Sequence, residues 1–60
     1  MNKKIRFYKN GTMTTVKCHG YEIKWNDEHK EVIIPYTYDS YGNKIELGRF
    51  IFEEYDTVVF

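Results

Sequence analysis

Cys18, His19 and His29 are the only side chains of this 60-residue chain that carry a thiol or an imidazole. Cys18 and His19 are neighbours in a stretch of strand-forming residues, where successive side chains point to opposite faces. They therefore do not converge on a metal, or act as nucleophile and base, unless Gly20 bends the chain there. Structural zinc asks for four ligands in paired spacings of the C-x2-C or H-x3-H kind, and none occurs. The acids are no better arranged for general acid and base work: Glu53 and Glu54 adjoin in a polar break, and Glu22, Glu28 and Glu31 read as a solvated rim. A glycine-rich phosphate loop is also missing. The expectation is a non-enzymatic protein with no catalytic residue, no metal and no cofactor. Cys18 then takes the ordinary role of a small buried thiol. A single cysteine leaves no intramolecular disulfide and fits a reducing, cytoplasmic setting.

What the residues do offer is chemistry of contact. The first 21 residues hold Lys3, Lys4, Arg6, Lys9 and Lys17 and no acid, while the rest hold four bases against nine acids, so a formal net charge of zero divides into +5 and −5. A one-signed field steers charged partners. Eleven of the residues are aromatic. Phe7, Trp25, Phe50 and Phe52 fall where a core is expected, whereas Tyr8, Tyr41 and Tyr55 fall on an outward face, a turn tip and a polar break. Tyrosine gives stiff contact area with a polar tip, so these three are candidates for a binding patch. The basic candidates are Lys4, Arg6 and Lys17, clustered about Tyr8.

Their clustering depends on the strands that carry them. Asn10-Gly11 between alternating segments is the strongest short-range hairpin signal, because a type I′ turn needs positive φ at both central residues. The implied register faces Lys9 with Thr12, Phe7 with Thr14, Ile5 with Val16 and Lys4 with Lys17. Ile5, Phe7, Thr14, Val16 and Cys18 then share the core face, and Lys4, Arg6, Tyr8, Met13, Thr15 and Lys17 the outer one. A second hairpin is expected around Asp27–Lys30, facing Trp25 with Val32, Ile23 with Ile34 and Tyr21 with Tyr36. Pro35 predicts an edge or an irregularity, and Asp39-Ser40-Tyr41-Gly42-Asn43 predicts a turn. The apolar parity slips at Gly20 and again at Gly48, each slip a bulge or a tight turn. With Glu53–Asp56 as one helical turn before a last short strand, the expected fold is all-β. It is a single domain over residues 1–60, built as a small five- to six-stranded antiparallel barrel, SH3-like or OB-like, with an antiparallel β-meander as the alternative.

A chain this short has little core to spare, and it holds no apolar run long enough for an export signal or a membrane span. The usage of Lys, Ile, Asn, Tyr and Phe suits an AT-rich genome or one of its phages or plasmids. Three partners follow as expectations. The first is a host protein, bound and inhibited or adapted by a phage or mobile-element accessory protein. The second is nucleic acid, held by the basic face of the first hairpin on an aromatic platform. The third is a second copy, giving a homodimer. The basic face has a competing fate: a last strand returning beside the first could bring Glu46, Glu53, Glu54 or Asp56 to neutralise it.

Overall fold

The computed structural model describes residues 3–60. Strand β1 (Lys3–Lys9) and β2 (Thr12–Cys18) form the first hairpin, and the register runs from Lys3 opposite Cys18 to Lys9 opposite Thr12. Asn10 and Gly11 turn it with φ of 50° and 77°, the left-handed pair that a type I′ turn demands. Every pairing read from Asn10-Gly11 is present.

After His19 the chain does not turn back on itself. It crosses into a second sheet as β3 (Gly20–Trp25), and the His19 N–H donates to the Tyr36 carbonyl at 2.8 Å. The parity slip at Gly20 is thus a bend in one long strand shared by two sheets. Gly20 is needed for space: a Cβ there would lie 2.5 Å from the Tyr36 Oη, the ring of its cross-strand neighbour.

β4 (Glu31–Tyr38) is the central strand of that second sheet, with β3 on one edge and β5 (Lys44–Glu46) and β6 (Phe50–Ile51) on the other. Glu46 faces Tyr36 and Phe50 faces Ile33. Three residues on one side therefore span two on the other, which makes β5 and β6 one strand with a bulge at Gly48. Its φ of 144° suits glycine. The Leu47 N–H donates to the Pro35 carbonyl at 2.8 Å. A strand residue's nitrogen and carbonyl share an edge, so the N–H that proline lacks would have faced this bulge. The irregularity announced by Pro35 sits beside a central strand.

The register of the second hairpin is corrected here. The second hairpin pairs Trp25 with Glu31, Ile23 with Ile33 and Tyr21 with Pro35, one residue away from the expected register. The cause is its loop. The His29 N–H closes a turn on the Asn26 carbonyl at 3.0 Å and His29 takes a φ of 59°, leaving a three-residue loop of a type I turn plus a left-handed residue. Asn26 Oδ1 accepts from the Glu28 and Lys30 N–H groups at 2.9 and 3.0 Å and holds that loop. The one-residue shift puts Ile33 on the face of Ile23, where it joins Ile5, Phe7 and Cys18, and leaves Ile34, also buried, on the other face. Asp39–Asn43 repeats the same loop with Gly42 in the left-handed position.

The all-β expectation holds, and its sheets are arranged as follows. β7 (Thr57–Val59) pairs with β1, giving a sheet in the order β2-β1-β7, while β3 to β6 form the other. No ladder joins the two among the described residues, so the arrangement is two antiparallel sheets, with no closed barrel. Ile5, Phe7, Cys18 and Ile33 are buried between them, with Val16, Phe50, Tyr55 and Val58 packed around. Phe7 stacks on Phe50 with ring centroids 4.2 Å apart. Trp25 and Phe52, expected in the core, are 67 % and 41 % exposed. Trp25 ends β3 opposite the exposed Glu31 at the hairpin loop, and Phe52 opens the 3-10 turn Phe52–Glu54 and leaves the strand parity. That turn begins one residue before the expected helical turn. No helix is long and apolar enough to cross a membrane among the described residues.

Candidate functional site

The outer face of the β2-β1-β7 sheet is built from three rows. Met13, Tyr8 and Thr57 share the first, Thr15, Arg6 and Val59 the second, and Lys17 and Lys4 the third. Alternation along β1 sends Ile5 and Phe7 inward and therefore Lys4, Arg6 and Tyr8 outward. Lys4, Arg6 and Lys17 are exposed and Tyr8 is half-buried. No carboxylate belongs to any row. The last strand does return to the first, yet the residues it brings to this face are Thr57 and Val59.

Three of the four acids that were candidates for neutralising the face are engaged elsewhere, and Glu54 makes no ion pair with it among the described residues. Glu53 pairs with Lys30 at 2.9 Å, Glu46 with Arg49 at 3.6 Å, and Asp56 accepts the Asn10 N–H at 2.9 Å. Asp56 also donates its own N–H to the Tyr8 carbonyl at 2.8 Å, which ties the turn of the first hairpin to the entry of β7. No ion pair reaches Lys4, Arg6 or Lys17 among the described residues. Lys4 and Lys17 face each other directly, an arrangement that is unfavourable without an anion.

Lys4 also borders a second feature that sequence reasoning missed. An open pocket of about 380 Å³ is lined by Lys3, Lys4, Ile5, Tyr21 and Phe60. Tyr21 and Phe60 stack at 4.9 Å with their planes 28° apart, and the Lys3 ammonium lies 6.0 Å from the centre of the Tyr21 ring. Only the crossing of β2 into β3 brings Tyr21 back beside β1, so no local spacing signals it.

The three tyrosine candidates do not assemble. Tyr8 lies on the basic face, Tyr41 is 89 % exposed at the tip of the β4–β5 loop, and Tyr55 packs inside against Phe7 with ring centroids 5.1 Å apart. Tyr55 is thus chiefly a core residue, with the Lys9 ammonium 5.9 Å from its ring centre. The opposite surface of the second sheet carries paired charge: Lys44 bridges to Glu22 and lies 4.5 Å over the Tyr36 ring. That hydrogen bond holds the Glu22 carboxyl below, and the Lys44 ammonium above, its ordinary pKa.

Cys18 is fully buried, and desolvation raises its thiol pKa although nearby Lys3 opposes the shift. A thiol so placed is neither exposed nor ionised for nucleophilic work. His19 is exposed and meets the edge of the Tyr38 ring at 5.0 Å, and His29 stands in its loop. No group of three or more His, Cys, Asp or Glu is placed to hold a metal ion among the described residues. What the molecule presents is surface: a basic, acid-free sheet face beside a stacked aromatic pair. No protein-family model, curated protein or solved structure matches this chain.

Proposed function

We propose that this is a non-enzymatic binding protein that holds single-stranded nucleic acid across the outer face of its β2-β1-β7 sheet. The observation that carries the reading is the absence of any carboxylate on a face holding Lys4, Arg6 and Lys17. Phosphates track cations, and bases stack on aromatic rings at roughly 1–3 kcal/mol each. Tyr8 on the face and the Tyr21–Phe60 pair beside Lys3 and Lys4 supply such rings. The return of the last strand to the first supports reading the two sheets as a small, partly open barrel of the SH3-like or OB-like kind.

The test is fluorescence anisotropy with a labelled oligothymidylate across a salt series. Three neutralised phosphates give a slope of log K on log salt near −2 for a single strand, so affinity falls roughly 20-fold between 50 and 200 mM salt. Replacing Lys4, Arg6 and Lys17 by Glu abolishes binding. Absence of binding at 50 mM salt, or equal affinity in the triple variant, refutes the proposal.

A second reading, a phage or mobile-element accessory protein that binds and inhibits a host protein in the cytoplasm, keeps one supporting observation. Ile23 and Trp25 are 46 % and 67 % exposed along one edge strand. Capture of a stoichiometric protein from nuclease-treated host lysate tests it.

A further inference from the structure

Four strand edges are open among the described residues, and three are blunted in ways that natural sheets use against unwanted pairing. β7 is short, the β5–β6 edge is broken by the bulge at Gly48, and β2 presents Lys17. β3 is not blunted. The Asn26 N–H donates to the Lys30 carbonyl at 3.0 Å, and hydrogen-bonded pairs alternate along an antiparallel ladder. The even residues Gly20, Glu22 and Lys24 therefore bond to β4, while Tyr21, Ile23 and Trp25 aim their N–H and C=O groups off the edge. None of these groups has an intramolecular partner among the described residues. The same three residues expose their side chains, at 37 %, 46 % and 67 %.

We propose that the occupant of this edge is a second copy of the chain, paired β3 to β3 about a two-fold axis through Ile23. Backbone direction allows only registers that face odd residues with odd ones. Centred on Ile23, the pairing faces Tyr21 with the partner's Trp25 and Ile23 with the partner's Ile23, forming one apolar stripe. On the other side of the sheet it faces Glu22 with the partner's Lys24, and Lys24 with the partner's Glu22. Two-fold registers centred one residue to either side instead set Glu22 against the partner's Glu22, or Lys24 against the partner's Lys24. Like charges directly opposite are destabilising, so charge selects the Ile23 register. The result is an isologous contact in which two second sheets become one. It rests on different residues from the nucleic-acid reading, apart from Tyr21, and either can fail without the other.

The experiment is sedimentation equilibrium from 1 μM to 1 mM, with amide hydrogen exchange followed in parallel. The expected result is a concentration-dependent dimer, in which the Tyr21, Ile23 and Trp25 amides gain protection as protein concentration rises. Lys24→Glu weakens the dimer about tenfold by setting two Glu pairs face to face, and adding Glu22→Lys restores it when Lys44→Glu is included to keep the bridge at position 22 with its sign reversed. The thermal unfolding of each variant, followed at 1 μM, shows that it is folded. A monomer at every concentration overturns the proposal, and so does a dimer indifferent to the charge exchange.

Discussion

Gly20→Ala tests whether the bend between the sheets is set by space or by backbone freedom. The φ of Gly20 is not in the left-handed region, so alanine is compatible with the backbone and by itself stabilises by about 0.4–1 kcal/mol through the unfolded chain. Against this, its Cβ would stand 2.5 Å from the Tyr36 Oη and 2.8 Å from its Cζ. The Tyr36 ring must move. In doing so it leaves the Tyr38 ring, met at 5.7 Å and 76°, and the Lys44 ammonium 4.5 Å above it. Those contacts amount to about 0.5–1.5 and 0.5–1 kcal/mol. With the alanine gain subtracted, Gly20→Ala destabilises by roughly 1 kcal/mol, within a span of about 0–2 kcal/mol, and a domain this small loses about 4–8 °C of Tm per kcal/mol. In a Tyr36→Ala background the clash and both contacts are already gone, so the sign reverses and Gly20→Ala stabilises. Tyr36→Phe removes the nearest atom but leaves Cζ, and relieves only part. Urea and thermal unfolding of the two single variants and the double variant measure the coupling. An equal loss in both backgrounds would refute the steric account and return the glycine to a backbone role.

His29 sits in the left-handed position that Gly42 fills in the matching loop. His29→Gly therefore raises stability by about 0.5–1 kcal/mol in urea unfolding, as the αL penalty of a side chain exceeds glycine's extra chain entropy. The Asp39 carboxylate accepts from the Asn43 and Tyr41 N–H groups at 2.9 and 2.8 Å, which holds its pKa below the usual carboxylate value, with the Asn43 backbone as the largest cause. A depressed folded-state pKa gives stability that is complete above about pH 4 and lost as pH falls through the folded value. Asp39→Asn accordingly flattens the acid limb of a Tm-against-pH curve, and an unchanged limb would count against the assignment.

Where the residues carried a backbone instruction, the fold was readable. Asn10-Gly11 states positive φ twice and so specified the whole β1–β2 ladder. The parity breaks at Gly20 and Gly48 announced irregularities in the right places. The second hairpin failed by one residue because its loop length turns on His29 adopting a conformation that an imidazole does not advertise. That slip misassigned the residue facing Ile23, since Ile33 and Ile34 are equally apolar and both buried, and only register separates them. The basic face was legible as far as one hairpin could define it. Whether acids would cover it depended on β7, whose pairing with β1 joins residues about fifty positions apart. Trp25 misled for a different reason: alternation gives the face of a strand, and says nothing of exposure at its end beside a loop.

The pairing of β7 with β1, and the stacking of Phe7 on Phe50 and Tyr55, also set an order of assembly. Each hairpin closes over a short loop and forms locally, but Phe7 finds its aromatic neighbours only when chain segments more than forty residues apart meet. Loop closure on that scale is an entropic toll met before any core contact rewards it. Folding is therefore expected to be slow for so small a chain, with early hairpins that lack a core. The Asp56 contacts to Asn10 and Tyr8, which latch the end of the sheet, require the entry of β7 to lie beside β1 and cannot form with the first hairpin alone.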